Sequence, residues 1–212
     1  MMACSGPLPA PRIAAVAQVP AGSGRPEPVR LWQDASIFTL VGGLIASARH
    51  RVLVEMYELD RPDLVVSLGA RRAVSGDVRV TTDPTVVESR SSADWLDRLG
   101  VPQRVYPVDD GRHQIDHVKL LIADGEAVVG GMNWGTHSDS NPDYVLETAV
   151  GAEVGRLVAV FNQDWGLAGA ALGGSGEIAQ SWPGEGIRAM LENALAHAER
   201  RALAEVCTLT DS

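Results

Sequence analysis

Two apolar runs, residues 118–123 and 127–130, stand on either side of Asp124-Gly125-Glu126. Asp-Gly between two such runs is a strong hairpin signal. The stretch therefore predicts two antiparallel strands joined by a tight turn, with Asp124 suited to the first position of a type I′ turn. Alternation along a strand then fixes the faces, because residues two apart point the same way. Val118, Leu120 and Ile122 point into a core, while His117 and Lys119 share the other face.

Upstream of the hairpin the pattern is a repeated strand and helix. Residues 52–59, 77–83 and 103–108 read as strands. A helix over 35–49, with Asp34 as its cap, carries the stripe Ile37, Leu40, Val41, Leu44 and Ile45. A second helix opens at Pro62 and runs toward Ala73, and a third starts at Pro84 and ends near Gly100. This alternation predicts a substantially parallel part of a sheet covered by helices. Downstream, 144–150 reads as a further strand and 154–165 as a helix, with Val154, Leu157, Val158 and Phe161 on one side. The fold class is α/β, a mixed β-sheet flanked by helices.

The chain divides into four stretches. Residues 1–30, rich in proline, glycine and alanine, read as a flexible N-terminal segment. Residues 31–167 form one domain, and 168–186 read as a glycine-rich linker. Residues 187–212 read as the start of a second, truncated repeat, because a helix and an apolar strand recur there. Arg51, Leu53, Glu55 and Leu59 line up with Arg201, Leu203, Glu205 and Leu209, and Ala46 and Ala48 with Ala196 and Ala198. The reading is that of a half-enzyme that begins a second copy of its own unit. Glu55 and Glu205 each place a carboxylate in an apolar strand, which is costly without a partner. They fit either the border of a shared site or a solvent-facing strand edge.

Composition excludes several classes of function. A formal net charge of -9 over 212 residues disfavours non-specific binding to nucleic acid or to anionic membrane. Cys4 and Cys207 imply neither a disulfide framework nor a thiolate metal site. No run reaches transmembrane length, and the short apolar stretch near residue 13 is flanked by prolines, unlike a secretion signal. The expected location is cytoplasmic, with peripheral membrane contact allowed. His113, His117 and His137, with Asp109, Asp110 and Asp116 nearby, lack zinc spacing, and Lys119 would repel a cation. No metal and no cofactor are expected. The glycines at 169–176 lack the Lys-Ser/Thr end of a nucleotide loop.

Of the 18 lysine and arginine side chains, a single one, Lys119, is lysine. A compact ammonium reaches where a planar guanidinium does not fit. The second hairpin strand ends in Gly130-Gly131-Met132-Asn133, which brings Asn133 toward His117 and Lys119. A histidine, an ammonium and an amide on one small surface suit a phosphoryl group. Lys119 and Asn133 hold its oxygens, and His117 attacks phosphorus or passes a proton. His113, His137 and Arg112 read either as pocket lining or as solvated loop. Trp134 either packs over the motif or flanks the pocket.

His117-x-Lys119, four residues, Asp124 and then Gly130-Gly131-Met132-Asn133 resemble the HxKxxxxD plus GGxN signature of the phospholipase D superfamily. The resemblance covers roughly residues 35–165, with one residue fewer than usual between Asp124 and the glycine pair. It implies a phospholipase D-like sandwich in which two motifs meet at a pseudo-twofold axis, from two halves of one chain or from two subunits. One histidine forms a phosphohistidine and the other protonates the leaving oxygen. The resemblance makes His117 the nucleophile or its acid partner, and His117, Lys119 and Asn133 the phosphate-binding set. It makes Asp124 a residue that supports the site. Asp143 stands where a carboxylate that orients the histidine is expected, with Glu147 as the fallback. The catalytic set is thus His117, Lys119, Asp124, Asn133 and Asp143. The expected activity is that of a phosphodiesterase or phosphatidyltransferase acting on phospholipid. A single-motif homodimeric nuclease and a catalytically silent binding half are the alternatives. The expected partners are a phospholipid or other phosphodiester, and a second motif from a missing C-terminal half or a homodimer partner. Nucleic acid ranks below lipid.

Overall fold

A computed structural model describes residues 29–74, 76–109, 111, 113–171, 191–193 and 195–198. In chain order the elements are β1 (Val29–Gln33), α1 (Ser36–Ser47), β2 (Arg51–Met56), α2 (Pro62–Val74), β3 (Asp77–Thr82), α3 (Glu88–Arg98), β4 (Gln103–Val105), β5 (Lys119–Ala123), β6 (Glu126–Gly130), β7 (Tyr144–Thr148) and α4 (Gly151–Ala171). The strands form one sheet in the order β1-β7-β6-β5-β2-β3-β4. The β-α repeat gives the parallel pairs β2/β3 and β3/β4, because each helix crossover returns the chain in the same direction. The hairpin and the strands after it pair antiparallel, so the sheet is mixed.

Each face of the sheet is buried by a different set of helices. On one face Ile37, Val41 and Ile45 of α1, Leu64 and Leu68 of α2 and Leu96 of α3 close over Val52, Val54, Val80 and Leu121. On the other face Val154 and Phe161 of α4 close over Leu53, Leu120, Ile122 and Ala127. Each fully buried aliphatic side chain contributes roughly 1.5–3 kcal/mol. The alternation in the hairpin is as expected for Leu120 and Ile122, which pack under α4. Leu121 and Ala123 join the opposite core, so both faces of β5 are covered.

Several local expectations change. Val29–Gln33 is an edge strand paired with β7, although its first two residues fell in the stretch read as a flexible leader. Asp34 does not cap α1. It takes a left-handed φ of 52, and its Oδ1 accepts from the N–H of Asp143 at 3.3 Å. Helix α3 starts four residues after Pro84, because Asp83 binds the N–H of Thr85 at 2.6 Å and holds a turn there. In the hairpin turn Asp124 has φ 50, but Gly125 does not take a positive φ, so the turn is not of type I′. Helix α4 continues through Gly166 and Gly169 to Ala171, where composition alone reads as loop. The repeat at 187–212 falls almost wholly outside the described residues, as do Cys4, Asp110, Arg112, Glu205 and Cys207. No described helix is long and apolar enough to cross a membrane.

Candidate active site

The site lies where β2 ends and β5 begins. Met56 is paired with Lys119, and beyond that pair the N–H of Tyr57 donates to Val118 O at 2.9 Å. The register carries Tyr57 and Glu58 alongside His117. Loops at the carboxyl ends of parallel strands are where such folds build sites, since the chain there is free of ladder pairing. The His117 ring meets the Tyr57 ring edge-on, with centroids 4.6 Å apart. Lys119 Nζ sits 4.7 Å from the centre of the same ring and donates to His117 O at 3.0 Å. Tyr57 thus spaces the imidazole and the ammonium.

Burial differs sharply between these two residues. His117 is exposed, whereas Lys119 is 5% exposed. Desolvation lowers the Lys119 pKa to about 8, against the pull of Asp116, Asp143, Glu58 and Asp83. The His117 pKa is lowered as well, first by desolvation and then by Lys119, with Asp83 acting against both. A neutral imidazole beside a buried cation is the form that a nucleophile needs at neutral pH.

Asn133 arrives on the segment that follows β6. Gly130 is required at the end of that strand, because a Cβ there would overlap the backbone of Tyr144 and stand 2.6 Å from Val145 Cα. At Gly131 a Cβ would strike the Asp143 carboxylate. Beyond them the chain pairs with the end of β2. The N–H of Trp134 donates to Glu58 O at 2.9 Å, and Leu59 and Trp134 form a parallel bridge. Trp134 is buried in the core under α1 to α3, so it packs behind the motif. Asn133 Nδ2 donates to Glu58 Oε2 at 2.9 Å.

The remaining expected residues separate into two groups. Asp143 is at the site: its carboxylate lies over Gly131 and acts on Lys119, and its Oδ1 accepts from the N–H of Tyr144 at 2.7 Å. Glu147 is held elsewhere, by Trp32 Nε1 at 2.7 Å and Arg30 at 3.7 Å. Asp124 is at the far end of β5. Its carboxylate accepts the backbone N–H groups of Arg49 at 2.7 Å, His50 at 2.9 Å and Arg51 at 2.8 Å. Burial acts to raise its pKa, but the three N–H donors together outweigh burial and hold it below the usual value. The position fits support of the fold around the site, not contact with a phosphoryl group. His113 and His137 are exposed, and His113 takes a positive φ of 55. Among the described residues, no three histidine, cysteine or carboxylate side chains converge to hold a metal ion.

Sequence reasoning did not find Tyr57, Glu58 or Asp83. The signal available was their position just past the carboxyl ends of β2 and β3. Asp83 Oδ2 accepts the N–H of Asp116 at 2.6 Å, which fixes the backbone one residue before His117. Asp116 itself is buried beside Glu55 and Asp164. Burial raises Glu55 to about 9, with Asp116 and Asp164 adding to the effect. Burial also raises Asp116 to about 7, where Asp83 and Asp164 add and the Val118 N–H and Lys119 oppose.

The family described as cardiolipin synthase, PLD-like domain, matches residues 42–165, which include this whole constellation. The chain belongs to that family. The PLD-like domain has the same fold as Nuc, a phospholipase D family member from Salmonella typhimurium: 20% identity, 66% of this chain and 94% of that chain covered, TM-score 0.58. It is also similar to NucT from Helicobacter pylori, at 15% identity over 65% of this chain and 95% of that one, TM-score 0.55. Phosphatidylserine synthase from Haemophilus influenzae Rd KW20 shares 15% identity over 85% of this chain and 46% of its own, TM-score 0.56. No curated protein sequence matches the chain. The PLD-like domain thus has the phospholipase D sandwich that the family resemblance implied, and the chain spans less than half of the synthase.

Proposed function

We propose that this PLD-like domain is a phosphodiesterase or phosphatidyltransferase acting on phospholipid phosphodiesters through a phosphohistidine at His117. The observation that carries the reading is the exposed His117 imidazole held at the mouth of a site whose one ammonium, Lys119, is buried behind it. An imidazole nitrogen attacks phosphorus while Lys119 and Asn133 stabilise the charge that builds on the non-bridging oxygens. The bond from phosphorus to the leaving oxygen breaks, and that oxygen takes a proton from a second histidine. Water or an alcohol then attacks phosphorus and gives its proton to that second histidine, the bond to His117 breaks, and both imidazoles are restored to their starting forms. The second histidine comes from another copy of the chain or from a further region of a longer one. Asp143, within reach of Lys119's charge, helps hold the cation in place.

The preference for lipid rests on the family's description and on the net charge of -9, which weighs against a polyanionic substrate. The chain covers 94% of Nuc, and that span favours a second reading, a single-motif homodimer of nuclease type. The test compares release of head group from phosphatidylglycerol vesicles with cleavage of single-stranded DNA, in wild type and His117→Asn. The expected result is lipid turnover that falls by about a hundredfold or more in the variant, because the two-step route is lost. Full turnover by a folded His117→Asn protein overturns the assignment of the nucleophile. DNA cleavage without lipid turnover moves the substrate to the second reading.

A further inference from the structure

Glu58 stands among the groups assigned above to phosphate. Its Oε2 accepts from Asn133 Nδ2 at 2.9 Å. Its carboxylate also reaches Gly135, where an added Cβ would lie 2.9 Å from Glu58 Cδ. Lys119 is close enough to act on it electrostatically. The two groups that would bind a phosphoryl oxygen therefore already serve a carboxylate supplied by the protein. Asn133 Oδ1, meanwhile, is buried and without a hydrogen-bond partner. A buried acceptor left unpaired is unfavourable, so the ionised form of Glu58 leaves this pair incomplete.

We propose that Glu58 is a positioning residue that couples phosphate binding to proton uptake: ionised, it holds Asn133 and competes for Lys119, and protonated, it releases both to the substrate. Protonation removes the charge that holds the Asn133 amide in its present orientation, and with the amide turned over a protonated Glu58 can donate to Oδ1, the acceptor that now has no partner. The amide donors of Asn133 are then released from the carboxylate for phosphoryl oxygens, and one of the negative charges beside Lys119 is gone. Burial and two neighbouring carboxylates favour the protonated form of Glu58. Its pKa is raised first by burial, then by Asp60 before α2 and by Glu88 of α3, while Asn133 and Lys119 oppose. Lys119 in turn faces Asp116, Asp143 and Asp83, so a phosphate entering here meets one cation amid several carboxylates. Neutralising the carboxylate that touches its amide ligand is the cheapest way to admit it. The seat is open to phosphate in proportion to the protonated fraction of Glu58, which lowers apparent affinity by that fraction.

This inference rests on Lys119 and Asn133 being a phosphate seat, and the experiment separates the two. Inorganic phosphate is titrated calorimetrically into the full chain from pH 5 to pH 8, in two buffers of different ionisation enthalpy. Wild type, Glu58→Gln and Lys119→Ala are compared. Glutamine has the shape of the protonated acid, so comparing it with wild type cancels the titration of His117 and of phosphate itself. The expected wild type takes up a proton with phosphate and weakens about tenfold for each pH unit above the Glu58 pKa. The expected Glu58→Gln protein lacks that proton uptake and binds more tightly than wild type at pH 8. Equal pH profiles for the two, with Lys119→Ala unable to bind, overturn the role of Glu58 and leave the seat intact. Weaker binding by a folded Glu58→Gln at every pH overturns it too. No phosphate binding by wild type at pH 5 overturns the seat and this inference with it.

Discussion

Lys119 and Asp124 stand at opposite ends of one strand, β5, and serve different parts of the molecule. Lys119 lies beneath Tyr57 and beside His117. Asp124 ties the hairpin turn to three consecutive backbone N–H groups at the start of β2. Substitution of Asp124 by alanine leaves those donors without their charged acceptor. The expected cost is about 1–3 kcal/mol of stability, read by urea unfolding, with KM little changed in the fraction that folds. The Asp124 pKa is held low, so the stability it lends is present above its unfolded pKa. It is lost as pH falls through the lower folded value. Wild-type stability that did not exceed the variant's more at pH 7 than at acid pH would contradict this role.

Lys119→Arg is expected not to rescue function. Lys119 is buried, with 5% of the residue exposed, and its ammonium donates straight to His117 O. A guanidinium is larger, and its fork needs more room than the space below Tyr57 offers. Single-turnover cleavage of a chromogenic phosphodiester should drop by roughly a hundredfold, as for loss of a charge-stabilising donor. Near-native turnover would show that Lys119 supplies only a diffuse positive potential.

Glu55 gives a pH dependence of stability with the opposite sign to Asp124. Burial raises its pKa from 4.5 to about 9 in the fold. Below pH 4.5 it is protonated in both states and costs nothing by ionisation. As pH rises toward 9, the unfolded chain releases this proton and the folded one keeps it, so the fold loses stability. Glu55→Gln removes that loss. Its melting temperature should exceed wild type by roughly 3 °C or more at pH 8, with a smaller difference at pH 5. A variant less stable than wild type at pH 8 would mean that the carboxylate is paired in its ionised form.

The proposed chemistry asks for a second histidine, and a second copy is one source of it. Sedimentation velocity should then show a species of twice the chain mass. Phosphodiesterase activity should fall on dilution below the dimer affinity, because an isologous pair shares its site across the twofold axis. A chain that is inactive alone but active when mixed with a longer form would place the second motif elsewhere. A stable, fully active monomer would require His117 to act as nucleophile and acid in turn.

The sequence by itself determined the hairpin, the shared position of His117 and Lys119, and the alternation of strands with helices. These follow from local rules: an Asp-Gly turn, the period of two in a strand, and apolar stripes on helices. Its resemblance to the HxKxxxxD plus GGxN signature also pointed to the family that the match over residues 42–165 shows. Tertiary structure alone decided which distant residues meet. Glu58 and Tyr57 reach the site because β2 lies next to β5, a pairing between segments more than 60 residues apart, and nothing in local pattern ranks Glu58 above Glu55. Asp83 supports His117 only because β3 lies beyond β2 in the sheet order. Asp34 looked like a cap from its neighbours, yet its carboxylate accepts from the backbone N–H of Asp143, because β1 pairs with β7. Periodicity fixes which way a side chain points within its own element. The order of strands in the sheet fixes what it points at, and that order is set by burying both faces at once.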